Sequence, residues 1–379
     1  MSAYGFFTRR VVSAAPVLRL SVAAGLLWRH RRRIEAGYAG RVAFMMATSL
    51  LGAALSLGDR PRFGRPATRT TWDGPVLFIL GFWRSGTTLL HDLVARDPRF
   101  ATPTLVDANT APFLAAGRVI GPWLAPILPP DRGYDSMVLD VAGPWEEEGM
   151  LFSLSGLSPY LTALFPKDFR EFDSMLDLRG LPESGLREWR RSYVTICGRV
   201  TRGATHKTVL FKSPPGAARL PLIMETFPQA KFLHLSRDPE VVFASNMRMM
   251  RQVGETMRLQ HETDDDIAEH VLHRFEVIYD RYAEDFGKLP PGRVANLTYE
   301  QLLADPLGSL EEAYERLDLP GFGAIAPEFS RLLDARASYR TNVHAPLSPQ
   351  RRSEIAQRWG PHARRWGYYA DSGVEFASD

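Results

Sequence analysis

Three short stretches of this chain carry side chains suited to holding an anion and moving a charged group. The first is Gly81-Phe82-Trp83-Arg84-Ser85-Gly86-Thr87-Thr88. A glycine-bounded loop between a strand and a helix aims backbone N–H groups and the positive helix end at one anion. Gly81 and Gly86 have the spacing of the GxxxxGK[ST] loop, but the lysine position holds Thr87. Without that ammonium a nucleoside triphosphate loses its main counter-charge. Arg84, with the hydroxyls of Ser85, Thr87 and Thr88, suits a smaller anion. The alternative reading is a tight turn whose glycines serve only backbone geometry.

The second stretch is Ser236-Arg237-Asp238-Pro239, with Ser245 two helical turns into the helix that follows. Alone, Arg237 reads as a surface ion-pairing residue; its interest lies at the end of an apolar strand, where open parallel sheets bind ligands. One nucleotide with two separated phosphate groups would engage both stretches. The third is Lys212, after the apolar run Val209-Leu210-Phe211. The chain has five lysines against 41 arginines, so lysine here is a marked choice. An ammonium is a compact charge that can follow charge developing on a transferring group. The alternative is a capping or solvated lysine.

Together these residues resemble the sulfotransferases that use 3'-phosphoadenosine 5'-phosphosulfate (PAPS), in the bacterial and tyrosylprotein-like branch. The resemblance runs in order over about residues 75–370. GFWRSGTTLLHDLVARDP is similar to the family's 5'-phosphosulfate loop, and LFKSPPGAARLPLIMETFPQAKFLHLSRDPEVVFASN to its lysine and 3'-phosphate segments. The resemblance implies that Arg84, Ser85, Gly86, Thr87, Thr88 and Leu89 hold the 5'-phosphosulfate, and that Arg237 and Ser245 hold the 3'-phosphate. It places Tyr299 of LTYEQL at the adenine end, and Tyr339-Arg340 in a late segment closing over the nucleotide. It also implies a catalytic Lys212, a parallel sheet flanked by helices, and metal-free transfer to a hydroxyl or amine.

Sulfuryl transfer also needs a base for the acceptor proton. The histidine that cytosolic members carry two residues after the lysine is replaced by Pro214. The glutamate that tyrosylprotein-like members carry after the loop falls in Ala101-Thr102-Pro103-Thr104. The remaining candidates are Glu146, Glu147 and Glu148 in PWEEEGM, which resembles an acidic motif of the bacterial branch. Proline followed by acids is equally what a helix start requires. Helical spacing turns Glu147 inward with Met150, Leu151 and Leu154, whereas the family pattern points to Glu146 and Glu148, so the trio stays unranked. Asp107 is a fallback. His91 reads as a core residue or one that backs the loop from behind, and His270 and His273 as the polar face of a helix rather than metal ligands; no metal is expected.

The elements that must position these groups follow from the apolar pattern. Val76–Leu80 reads as a strand buried on both faces, feeding the glycine loop and a helix through Val94. Further strands are expected at Val209–Phe211, Lys231–Leu235 and Arg293–Tyr299, with helices over Ala217–Phe227, from Pro239 through Ser245, and over Asp264–Phe286. Alternating strands and helices predict an α/β fold, a P-loop-like parallel sheet flanked by helices. An N-terminal basic, apolar helical segment (1–70) precedes this catalytic domain (71–379).

Composition narrows the class. With 379 residues and 45% apolar content the chain builds a sizeable core. A single cysteine, Cys197, excludes an intramolecular disulfide and a CxxC metal site, which makes a reducing, cytoplasmic compartment the default. Residues 1–70 hold twelve arginines against Glu35 and Asp59, a net of +10. The formal total is +3, so the remainder carries −7. The basic character is local and gives no sign of a nucleic-acid partner. Two apolar runs, Val11–Trp28 and Val42–Gly58, lie in this segment; neither reads as a cleavable signal peptide. At 1.5 Å per residue the second is about 25 Å long, short of a roughly 30 Å hydrocarbon core. An interfacial hairpin, peripheral on the cytoplasmic face of the membrane, is the expectation; helices docked on the main domain and a transmembrane anchor are the alternatives. Together with Pro112-Phe113-Leu114 and Trp123-Leu124 as a candidate pocket lining, it suggests a lipid-linked or amphipathic alcohol as acceptor. The competing functions are a P-loop kinase or nucleotidase and a non-catalytic, membrane-associated nucleotide-binding module.

Overall fold

The computed structural model describes residues 13–63, 66–127, 132–135, 137, 139–201, 206–335 and 344–369. Five strands form one sheet: β1 Val76–Leu80, β2 Phe100–Ala101, β3 Thr208–Lys212, β4 Ala230–Ser236 and β5 Val294–Thr298. Their order is β2-β3-β1-β4-β5, and every pair is parallel. The expected α/β architecture is therefore present. β1 lies between β3 and β4, with register Ile79↔Lys212 on one side and Leu80↔His234 on the other. Chain order reverses at β1, so its loop opens into the crevice where such sheets take ligands.

Alternation along the strands divides the core. Phe78, Phe211 and Phe232 face one layer, where Phe78 meets Phe211 and Phe232 at ring separations of 5.4 and 5.9 Å. Leu77, Ile79, Leu210 and Leu233 face the other.

The helices that frame the site are α1 Leu20–Arg29, α2 Ala39–Leu55, α3 Thr87–Val94, α4 Leu114–Leu124, α5 Glu148–Ser155, α6 Glu183–Thr201, α7 Pro239–Met257, α8 Asp264–Phe286 and α9 Pro349–Ala363. Asp238 caps α7 by accepting from the amides of Glu240 and Val241, with Pro239 at its first position. Thr263 and Asp266 form a capping box on α8. The helix expected over Ala217–Phe227 begins later. Pro214–Arg219 is a 3-10 turn and the α-helix covers Leu220–Thr226, because Pro214 and Pro215 lack the N–H groups that α-helical pairing needs.

Residues of α1 and α2 pack onto the body: Leu26, Leu27 and Met45 share a core with Phe152, Leu164 and Phe165. Phe113 and Leu114 are buried, with Phe113 against Gly52 of α2, while Trp123 points to solvent. They do not form the continuous pocket lining that their sequence suggested.

Gly86 has φ +99°, and a Cβ placed on it would lie 2.3 Å from the Tyr299 ring. Gly25, inside α1, has open space around it. Gly86→Ala is expected to cost about 2 kcal/mol or more through strain and overlap. Gly25→Ala is expected to gain about 0.5–1 kcal/mol. Denaturant unfolding of the two variants beside the wild type checks both signs.

Candidate active site

The loop between β1 and α3 is bent by three residues in the left-handed region: Gly81 (φ +142°), Arg84 (φ +72°) and Gly86 (φ +99°). At Gly81 a Cβ would meet the Leu235 carbonyl at 2.4 Å, so the backbone itself fills that space. Arg84 adopts this conformation despite its side chain, a strain tolerated where surrounding structure dictates it. The Phe82 amide donates to Tyr279 Oη (3.1 Å), and Asn246 Nδ2 donates to the Trp83 carbonyl (2.8 Å), so α8 and α7 brace the loop. First-turn amides of a helix have no intrahelical acceptor, leaving those of Thr87 and Thr88 for an anion. Leu89 donates its amide to Gly86 O (3.0 Å). Ser85 Oγ is buried without a hydrogen-bond partner among the described residues. A bound anion would satisfy it.

The two arginine segments meet across this loop. Arg84 Nε donates to Ser245 Oγ at 2.9 Å, and Arg237 Nη1 reaches the Arg84 carbonyl at 3.4 Å. The Arg237 guanidinium lies over the Tyr299 ring at 4.1 Å, and that ring packs on Gly86. Tyr299 starts a helix just past β5, where Thr298 is the cap. Arg84, Ser245, Arg237, Tyr299 and Gly86 are thus one contiguous group. Arg248 lies one turn after Ser245 on α7 and is exposed. Burial, then the charges of Arg237, Arg248 and Arg84, hold the His344 pKa below its ordinary value. Arg340 lies outside the described residues.

Lys212 ends β3. Its nearly buried Nζ forms an ion pair with Glu146 Oε1 at 2.9 Å and lies 3.4 Å from Thr88 Oγ1. Glu146 Oε2 accepts from Tyr160 Oη at 3.1 Å. The carboxylate is carried to the lysine by a bridge between Thr104 and Pro144 and by the Trp145 amide donating to Pro103 O (2.8 Å).

The acidic trio divides cleanly, since α5 begins only at Glu148. Glu147 is sealed in the core, with Tyr193 Oη donating to Oε1 at 2.6 Å. Burial and the adjacent Glu148 raise its pKa to about 8, outweighing the opposing pull of Tyr193 and Ser213. Glu148 is fully buried and paired with Arg219 at 3.1 Å. Only Glu146 of the three keeps contact with the crevice and the lysine. Asp107 caps the helix Leu105–Thr110 and forms a two-bond pair with Arg118 (2.7 and 2.8 Å).

Two further site residues carried little signal in the sequence. Asp135 is buried and takes Arg84 Nη1 at 2.5 Å, while Arg132 binds the same carboxylate through Nε and Nη2 at 3.0 and 2.7 Å. Both guanidinium groups flank the Tyr134 ring at 5.2 Å. They sit on an irregular connection with no periodicity to read; a carboxylate and an arginine together in a turn-rich stretch were the available hint. His91 is buried beside Lys212, bonds Thr102 Oγ1 at 2.8 Å and is held neutral, its pKa well below the ordinary value through burial and then Lys212. His270 stacks on Phe169 and His273 pairs with Asp173. Among the described residues no three His, Cys, Asp or Glu side chains are placed to share a metal ion.

Residues 162–323 match the model of a sulfotransferase family. The chain is 32% identical over 321 residues to the omega-hydroxy-beta-dihydromenaquinone-9 sulfotransferase Stf3 of Mycobacterium bovis, and equally to that of Mycobacterium tuberculosis. The alignment covers 84% of this chain and 82% of each relative. Sulfotransferase STF9 from Mycobacterium avium has the same fold, with a TM-score of 0.65 at 15% identity over 92% of this chain and 96% of that one. Sulfotransferase STF1 from M. tuberculosis H37Rv gives 0.62 at 18% identity, over 90% and 92%.

Glu147 supplies a prediction that does not depend on the reaction. Its folded pKa lies near 8, above an unfolded value of about 4.3, so the folded state binds the extra proton. That contribution to stability is complete below about pH 4.3 and is lost as pH rises through about 8. In thermal melts across this window, wild type should lose stability with rising pH, and Glu147→Gln should flatten the loss. Parallel curves for the two proteins would contradict the assignment.

Proposed function

The chain belongs to the sulfotransferase family and is a sulfuryl-transferring enzyme; from that premise we propose that its donor is PAPS and its acceptor the hydroxyl of a lipid-linked alcohol. The observation that carries the reading is the Lys212–Glu146 ion pair, set between a loop that lacks the triphosphate lysine and a cluster of arginines. PAPS has an anionic group at each end of its nucleoside. The loop amides, Arg84 and the unpartnered Ser85 hydroxyl suit the 5' end. Arg237, Ser245 and the additional Arg248 suit the 3'-phosphate. Thr87 in place of lysine weighs against ATP as the donor.

The donor supplies a sulfonate on a 5'-phosphate, and its transfer leaves 3'-phosphoadenosine 5'-phosphate (PAP). As the bond from the acceptor oxygen to sulfur forms and the bond from sulfur to the phosphate oxygen breaks, Glu146 takes the hydroxyl proton. Proton uptake neutralises the partner of Lys212. Its ammonium is then released toward the developing charge at the moment that charge appears. Tyr160 holds the carboxylate in place, and α3 directs its amides to the departing phosphate. The curated relatives are named for sulfation of a hydroxylated menaquinone. Together with the apolar, basic N-terminal helices, that name supports a membrane-resident alcohol and an enzyme working at the cytoplasmic face.

A thermal-shift screen should show stabilisation by PAPS and PAP and little by ATP, GTP or NAD; stabilisation by ATP alone would overturn the donor. With labelled PAPS and a host lipid extract, Glu146→Gln should lower the transfer rate by roughly 10²–10⁴. Lys212→Ala should abolish measurable transfer while keeping the PAP-induced shift. Transfer at the wild-type rate by either variant would refute its role, and label found only in water-soluble products would refute the lipid acceptor.

A further inference from the structure

α2 has its polarity inside out. Its strongly polar positions face the protein. Arg41 is fully buried and donates to the carbonyls of Arg258 (2.7 Å) and Glu255 (2.8 Å), and Ser49 is buried as well. Its outward stripe is Ala43, Ala47, Leu50, Leu51 and Ala54, all exposed, and continues into Leu57, which is 75% exposed. A helix lying against water carries its charges on that side; this one carries none.

The stripe extends onto a second element. α4 packs beside the turn Ser56–Gly58 and adds exposed Val119, Ile120 and Trp123, the last 82% exposed. Asp59 fixes the two together by accepting from the amides of Leu114 (3.0 Å) and Ala115 (2.8 Å). The apolar face therefore reaches beyond the N-terminal segment, into the part of the chain that also carries the catalytic residues.

The exposed charges of residues 13–63 are basic, while Glu188 and Glu171 of the body pair with Arg19 (3.7 Å) and Arg33 (2.5 Å). Arg29, Arg31 and Arg32 are exposed at the end of α1, with Arg31 over the exposed Trp28 ring at 4.3 Å, and Arg62 is exposed near the far end of α2. Described residues 13–63 contain two carboxylates. Asp59 is buried as above, and Glu35 is engaged by Lys167 Nζ (3.0 Å) and the His261 amide (2.9 Å). α4 contains no acid. An apolar face with tryptophan and a basic rim complements anionic headgroups. Two copies of the same face would bring arginine against arginine.

We propose that the outer faces of α2 and α4 form one monotopic surface that docks on an anionic bilayer without crossing it. The helical stretch Ala36–Gly58 is long and apolar enough to span, but spanning would pull Arg41 from its two carbonyls and bury a guanidinium in hydrocarbon. Docked in the interface, α2 keeps those bonds. The surface stands on its own geometry, whichever acceptor the site takes.

The test is flotation of the full chain with phosphatidylcholine vesicles, plain or containing about one-quarter phosphatidylglycerol. Wild type should float with the anionic vesicles, weakly with the neutral ones, and leave the membrane in carbonate. The combined variant Leu51→Glu, Leu57→Glu, Trp123→Glu should lose at least about tenfold in partitioning, with an unchanged PAP-induced thermal shift reporting an intact fold and donor site. Equal flotation of variant and wild type would overturn the surface. Retention of wild type in carbonate would overturn the monotopic geometry. A concentration-dependent dimer that the substitutions dissociate, with no flotation, would assign the face to a second copy instead.

Discussion

A lysine and a glutamate, both largely withdrawn from water, face one another at 2.9 Å where β3 ends. Such a pair is a poor investment in stability, because two desolvated charges recover little more than well-packed apolar side chains would. Its surroundings are built around it nonetheless. β3 sits between β1 and the short β2, and the contact between Pro103 and Trp145 carries Glu146 across to the lysine. Tyr160 fixes the carboxylate from the other side. The neighbouring acids are removed from competition, Glu147 by burial beside Tyr193 and Glu148 by pairing with Arg219. One carboxylate and one ammonium are left at the mouth of the crevice.

The same economy governs the loop between β1 and α3. Arg84 holds a left-handed backbone, and its side chain ties Ser245 to Asp135. Arg237 is held over Tyr299, whose ring rests on the glycine that makes the loop's turn. A guanidinium kept in place by an aromatic face and a carbonyl loses little freedom when it binds a phosphate. Asp135 and Arg132 add a contact from outside the sheet, so that the arginine of the loop is paired with a carboxylate.

Much of this could be read from the chain. The apolar runs at Val76–Leu80 and Lys231–Leu235 announced buried parallel strands, Asp238-Pro239 announced a helix start, and the loop and its arginines announced the crevice. β2 was not readable, since two residues have no period. The acidic trio could not be ranked because helical spacing cannot tell a helix from the turn preceding it, and α5 starts one residue after Glu147. The reading of Glu147 as inward-facing was right about packing, and packing is what removes it from the crevice. Arg132 and Asp135 were missed because Asp135 takes its place through Arg84, 51 residues away, a contact no local pattern encodes.

The central claim is that one doubly phosphorylated nucleotide is gripped at both ends, with Arg237 on the 3'-phosphate. Calorimetric titration of wild type and Arg237→Ala with PAP and with AMP, which lacks that phosphate, tests it most directly. Losing the 3'-phosphate should weaken binding to wild type by at least about tenfold and should make little difference to the variant. An equal penalty in both proteins, or none in wild type, would contradict the account.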